Sequence, residues 1–192
     1  MRQVHEMGSR VRGNDDMYGT MYQLIPHPDH LPQAVTSIAA QCWREEGRWH
    51  FRYVVDGVAQ LLLPDPVEPA RADELWCTTC FEAFVGGSGT TYREYNFAPS
   101  GQWAAYAFDA PRTGLRHADE QAEVWLEGGE SWIAVEAEVT GEFASNAPLN
   151  LTAVIEETGG CKSYWALAHP ANGLNAPPDF HDRSCFIARL PE

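Results

Sequence analysis

LWCTTCFEAFVGGSGTTYREYNFAPSGQWAAYAFDA, residues 75–110, decides the fold. It divides into three runs rich in aromatic and β-branched residues, Trp76 to Val85, Thr91 to Phe97 and Gln102 to Phe108. A Gly-Gly-Ser-Gly turn separates the first two and a Pro-Ser-Gly turn the last two, which predicts a three-stranded antiparallel meander. Along the first run Thr79, Phe81, Ala83 and Val85 share one face, and Cys80, Glu82 and Phe84 the other. Along the second, Tyr92, Glu94 and Asn96 alternate with Arg93, Tyr95 and Phe97. Glu82 and Glu94 therefore sit on neighbouring strands, and on one face they would reach a shared ligand or cation.

The same grammar continues on both sides. Val35 to Arg44 and Arg48 to Asp56 read as a hairpin around Glu45-Glu46-Gly47, and Asp56-Gly57 is a strong turn pair. Gln60 to Leu63 reads as a short strand closed by the proline-rich PDPVEP. Ala122 to Glu127 and Trp132 to Thr140 flank Gly128-Gly129, and Leu149 to Glu156 and Lys162 to Ala168 flank Thr158-Gly159-Gly160. A Pro- and Asn-rich loop from His169 to Ser184 precedes a last strand, Cys185 to Leu190. No helical period, internal repeat or linker interrupts the series. Ten or eleven short strands with turn chemistry between them predict an all-β, antiparallel two-sheet β-sandwich of the jelly-roll kind.

The 192 residues, 44% of them hydrophobic, suffice for one sizeable core, so residues 22–192 are expected to form one domain. The first 21 residues carry charged, Gly-containing clusters with no strand alternation, and are expected to be a disordered leader or a mis-assigned start, with Met17 or Met21 as the first residue. A formal charge of −14 argues against nucleic acid and anionic membrane surfaces as partners. No apolar run is long enough to span a bilayer and no secretory signal pattern is present, so the expected location is cytoplasmic.

The segments LW-TTCFEAF and YREYNFAPSGQWAAYAFD, with LIPHPDHLP near the start and AVIEETGGCKSYWALAHP and PDFHD near the end, resemble bacterial DOMON-like proteins related to family-nine carbohydrate-binding modules. The resemblance covers about Tyr22 to Pro191. It implies a β-sandwich, and since some relatives bind sugars and others haem, it leaves the ligand open. In the sugar-binding relatives, strand carboxylates corresponding to Glu82 and Glu94 line the concave face of one sheet. In the haem-binding relatives Met and His are the axial ligands, but the four methionines here, Met1, Met7, Met17 and Met21, all lie in the leader. A bis-His haem site would instead need His50, His117, His169 or His181 to converge. Relatives also hold a structural calcium, for which Asp179, His181 and Asp182 are the metal candidates; the bland alternative for His181 is a loop-anchoring hydrogen bond.

Chemistry narrows the candidates further. Cys77 and Cys80 form CTTC, but residues three apart on a strand face opposite ways, and no second pair completes a zinc site. The five cysteines read as free thiols in a reducing compartment. Glu82 and Glu94 suit either bidentate recognition of vicinal hydroxyls or strand-pinning pairs with Arg93, Arg52 or a Tyr hydroxyl. A hydrolase built on the pair would need one raised pKa and a suitable separation, and no nucleophile, metal or phosphate motif accompanies it. A pyranose presents a C–H face that lies well on an indole; Trp76, Trp103 and Trp165 are the candidate platforms, while Trp49 and Trp132 read as core. The expected function is non-catalytic binding of a small polar ligand, a saccharide or its derivative, with Glu82, Arg93, Glu94, Asn96 and His181 orienting it. No cofactor is required by this reading. Haem-mediated electron transfer and Glu82/Glu94 hydrolysis are the alternatives.

Overall fold

The computed structural model describes residues 20–171 and 177–192. The expected leader, with Met1, Met7 and Met17, lies outside the described residues up to residue 19. Met21 opens the first strand, where it pairs with Gln41. Two antiparallel sheets make up the molecule. The first has five strands in the order β1 (Met21–Gln23), β3 (Ser37–Glu45), β4 (Arg48–Asp56), β10 (Trp132–Val139) and β9 (Ala122–Gly128). The second has eight. Its path is β2 (Ile25–Pro26), β12 (Cys161–Ala166), β11 (Pro148–Glu157), β5 (Cys80–Gly86), β6 (Tyr92–Phe97), β7 (Trp103–Phe108) and β8 (Arg116–His117), with β13 (Ala188–Arg189) added to β11. Among the described residues no helix is long and apolar enough to cross a membrane.

Local chemistry sets the hairpins. Glu45 pairs with Arg48, so the β3–β4 loop is two residues long, and Glu46 and Gly47 both take positive φ, +49° and +83°. That primed turn matches the right-handed twist of the strands it joins. The meander forms as its alternation predicts, with Glu82 opposite Asn96 and Phe97 opposite Trp103. Three segments differ from expectation. The last strand, expected from Cys185 to Leu190, is only Ala188–Arg189, because Cys185 ends a 3₁₀ turn at Arg183–Cys185. Gln60 to Leu63 forms no strand: a 3₁₀ turn at Val58–Gln60 is followed by a single bridge from Leu61 to Glu157. Trp76 lies in a 3₁₀ turn at Leu75–Cys77 rather than on β5. These latter two belong to a crossing segment that bonds in turn to Glu156, Ser100 and Trp103, the last through a parallel bridge from Arg71.

Alternation assigns the core. Phe51, Tyr53, Phe81, Tyr95, Phe97, Leu151 and Ile155 point between the sheets and are almost completely buried. Each such side chain contributes roughly 1.5–3 kcal/mol through removal from water. Tyr53 keeps its hydroxyl satisfied there by donating to the Glu82 carbonyl at 2.6 Å. A second cluster, Phe84, Tyr92, Tyr106 and Phe108, covers the outer face of the eight-stranded sheet. Phe180 and Phe186, from the chain after β12, pack onto it. This second layer leaves a cavity beside it.

Candidate ligand-binding site

β5, β6 and β7 send Glu82, Phe84, Glu94, Tyr106 and Phe108 to the outer face of the sheet, where they floor a cavity of about 840 Å³. Val154 of β11 and Tyr164 of β12 extend that floor. The walls arrive from three separate segments. Asp73, Glu74 and Trp76 come from the crossing segment, Arg112 and Leu115 from the β7–β8 connection with His117 on β8 itself, and Pro178, Phe180 and His181 from the C-terminal loop. The volume falls in the range of ordinary small-molecule sites, and the lining mixes rings with a few convergent polar groups, as such sites do.

The floor carries two buried carboxyls. Glu82 is 3% exposed and Glu94 6% exposed. They are diagonal neighbours, because Glu82 faces Asn96 across the β5–β6 ladder and Glu94 faces Phe84. Thr152 Oγ1 donates to Glu82 Oε2 at 3.0 Å, and Asn96 Nδ2 donates to Glu94 Oε1 at 2.9 Å. Burial first, and the nearby Glu94 charge second, push the Glu82 carboxyl up to about 8. Burial also raises the Glu94 carboxyl, against the lowering effect of the Asn96 amide and the Arg112 charge.

His181 closes one side. Its Nδ1 lies 2.7 Å from the Tyr92 hydroxyl, whose oxygen already accepts from the Arg112 backbone N–H at 3.2 Å. His181 Nε2 faces Glu94 Oε2 at 3.8 Å. Phe84 and Phe108 meet the imidazole edge-on at 5.3 and 5.4 Å. Burial among these rings, with Arg112 nearby, lowers the His181 pKa to about 4, so the ring is neutral at physiological pH.

Not every residue picked from the sequence comes to this cavity. Glu82, Glu94, His181 and Trp76 line it, and Trp76 is 51% exposed. Asn96 lies behind the lining and holds Glu94. Trp103 and Trp165 correct the expectation of platforms: they are 6% and 3% exposed and belong to the core between the sheets. Register is the reason, since Trp103 pairs with Phe97 and Trp165 with Ala153, both inward positions. Arg93 likewise turns from Glu94 to the opposite face, where its Nε donates to Glu120 at 3.1 Å. Trp49 is core as expected, and Trp132 is half-buried.

The loop acids named for a metal are engaged in the loop itself. Asp179 pairs with Arg112 at 2.9 Å and accepts from the His181 N–H, and Asp182 caps the 3₁₀ turn at Arg183–Cys185 by accepting from the Ser184 N–H. Among the described residues no group of three or more His, Cys, Asp or Glu is arranged to hold a metal ion. Of the four histidines considered for haem, His50 stacks on Trp43 on the five-stranded sheet, His169 bonds the Ile25 carbonyl, and His117 and His181 line the cavity. Cys77 is exposed and ends the 3₁₀ turn at Leu75–Cys77, while Cys80 is buried at the start of β5, so the CTTC segment does not lie on one strand, contrary to expectation.

Tyr106, Tyr164, Phe108 and Asp73 were not singled out in the sequence. The first three could have been, because Tyr106 pairs with Glu94 and so shares its face. Asp73 could not: it accepts from the Tyr106 hydroxyl at 2.6 Å across a distant loop.

No family model matches the sequence, and a search of curated proteins finds no match. Among solved structures the chain is similar to a provisionally named carbohydrate-binding protein from Bacteroides uniformis, with a TM-score of 0.56 at 12% identity. The match covers 86% of this chain and 83% of that one. At that identity the likeness concerns the fold.

Proposed function

We propose that this chain is a non-catalytic binding module that takes a small polar ligand, a sugar or sugar derivative, in the cavity on the outer face of its eight-stranded sheet. One observation carries the reading: the half-exposed indole of Trp76 stands at the mouth of a cavity floored by the buried carboxyls Glu82 and Glu94. An indole offers a surface to the C–H face of a sugar ring, and carboxyl oxygens accept from its hydroxyls. Tyr106 and Tyr164 supply further ring surface on the floor. The all-β neighbour from Bacteroides uniformis, which shares the architecture over most of both chains, and the resemblance to DOMON-like proteins support this reading. The five unpaired cysteines fit a reducing compartment.

A thermal-shift panel of mono- and disaccharides on the full chain tests it. A ligand present at about 100 times its dissociation constant adds roughly 2.7 kcal/mol of stability, a readily visible shift. The shift should vanish in Trp76→Ala and shrink in Glu94→Gln. A panel without any shift would overturn the proposal. A second reading has one observation in its favour: the Glu82 carboxyl, raised to about 8, lies beside a second carboxyl, Glu94, and a raised carboxylic acid next to another carboxyl is the pairing that glycoside hydrolysis uses. Turnover of chromogenic glycosides that Glu82→Gln abolishes would make it the better account.

A further inference from the structure

We infer that the ligand of this cavity carries a positive charge, an ammonium group on a sugar or on a comparable small polar molecule, seated between Glu94 and Glu82. The inference rests on reading the cavity as a ligand site, and adds the charge class of what enters it.

The argument starts from how the two carboxyls are compensated. Both are more than nine-tenths buried, yet each has a neutral hydrogen-bond donor, the Thr152 hydroxyl for Glu82 and the Asn96 amide for Glu94. The only ring nitrogen in ion-pair range of either, among the described residues, is His181 Nε2, and that imidazole is wedged neutral against Tyr92, Phe84 and Phe108. Two cations line the cavity, but neither is seated on the pair: the Arg112 charge lowers both carboxyls without offsetting their burial. Arg112 pairs with Asp179 at 2.9 Å, and the Lys162 ammonium donates to the Cys77 carbonyl at 2.6 Å. A buried carboxylate with no cation in ion-pair contact is costly, and the cost is relieved either by taking up a proton or by admitting a cation.

The walls favour the second route. Phe84, Tyr106, Phe108 and Tyr164 share the floor with the carboxyls and Trp76 stands in the wall, and aromatic faces attract a desolvated cation. At the rim, Asp73 and Glu74 add negative charge beside His117, and the whole chain carries −14. An anionic ligand would meet Glu82 and Glu94 at the floor. A neutral polyol would bond the carboxyl oxygens but leave their charge uncompensated. An ammonium supplies three donors and the missing charge together.

The other groups facing the pair determine how protons move on binding. From β5 and β6 these are the Cys80 thiol and the Tyr92 hydroxyl, and burial raises both. From the packed loops they are Arg112, Asp179 and His181, and from β7 and β12 Tyr106 and Lys162. At neutral pH the free pair retains a proton, because burial raises both carboxyls. An ammonium seated there favours the ionised forms, so binding expels a proton, and affinity rises with pH up to about 8 while the amine stays charged.

Isothermal titration of the full chain with glucosamine, N-acetylglucosamine and glucose tests this, since the three share a ring and differ in one substituent. Each is titrated at pH 7 in phosphate and in MOPS, whose ionisation heats differ and neither of which carries a primary ammonium, and ethanolamine serves as an amine without a sugar ring. The expected result is at least about tenfold tighter binding of glucosamine than of the two neutral sugars, about 1.4 kcal/mol, with a buffer-dependent heat that reports proton release. Glu94→Gln and Glu82→Gln should each reduce that preference while keeping a cooperative thermal transition. Equal or tighter binding of the neutral sugars, or a preference that survives in both variants, overturns the charge inference and leaves the sugar reading standing. Ethanolamine binding without sugar binding upholds the charge and overturns the sugar. Binding of none of the four overturns both.

Discussion

Thr152 and Glu82 face each other across the β5–β11 ladder, and the Thr152 hydroxyl donates to Glu82 Oε2 at 3.0 Å. One neutral donor does not offset full burial, so the folded-state carboxyl is raised from an ordinary value of 4.5 to about 8. A raised pKa contributes stability that is fully present below pH 4.5 and is lost as pH rises through 8, because the unfolded chain ionises first. The full shift corresponds to on the order of 5 kcal/mol, an upper bound because the site relaxes when charged. Denaturation in urea should show wild-type stability falling by a few kcal/mol between pH 5 and pH 9, and the fall should flatten in Glu82→Gln. An identical slope in both proteins would mean that Glu82 ionises without penalty.

Burial separates the three tryptophans considered as platforms. Trp103→Ala and Trp165→Ala each open a hole in the core between the sheets, and each should cost about 3–5 kcal/mol. Trp76 stands half exposed in its 3₁₀ turn, so Trp76→Ala should stay within about 0.5 kcal/mol of wild type while losing ligand. Chemical denaturation of the three variants side by side measures this. A large loss in Trp76→Ala would assign that indole a structural role.

The meander shows why some of this was legible and some was not. Period-two alternation places Glu82 and Glu94 on one face and Phe81, Tyr95 and Phe97 on the other, and strand geometry enforces it whatever the loops do. The same count already turned Arg93 away from Glu94, and carrying it across the Pro-Ser-Gly turn, from Phe97 to Trp103, would have assigned Trp103 to the core. The cavity walls are different in kind. Trp76, Asp73, Arg112 and Phe180 come from segments with no period, and their positions depend on contacts such as Lys162 to the Cys77 carbonyl and Arg112 to Asp179, more than 60 residues apart in sequence. Local patterns carry no record of such contacts.

His181 predicts the opposite pH limb. Burial and the Arg112 charge lower its folded-state pKa from 6.5 to about 4. A depressed pKa contributes stability that is present above pH 6.5 and lost as pH falls through 4, when the unfolded chain takes the proton first. The shift is worth up to roughly 3 kcal/mol, less what solvent at the cavity mouth screens. His181→Gln, which keeps a hydrogen-bond partner for Tyr92, should lose less stability than wild type between pH 7 and pH 4. Titration of the imidazole by NMR gives a direct check, and a midpoint near 6.5 would sink the prediction.

The other buried carboxylate, Glu157 at the end of β11, is compensated in a different way and should behave differently. It is completely buried and accepts from three successive backbone N–H groups, Gln33 and Ala34 at 2.7 Å and Val35 at 3.0 Å. Those bonds tie the chain between β2 and β3 to the eight-stranded sheet, joining the two layers at this end of the sandwich. Glu157→Gln keeps one acceptor oxygen but turns an NH₂ group toward backbone donors, so at least one buried N–H loses its partner. The expected cost is about 2–4 kcal/mol, seen as a lower urea midpoint with an unchanged slope. Residues 27–36 should also become more sensitive to limited proteolysis, because their backbone donors are no longer all satisfied. An unchanged midpoint would show that the segment is held by the flanking pairings, Leu24 N–H to the Ile38 carbonyl and Thr36 N–H to the Asp56 carbonyl, and that the carboxylate only fills space beneath it.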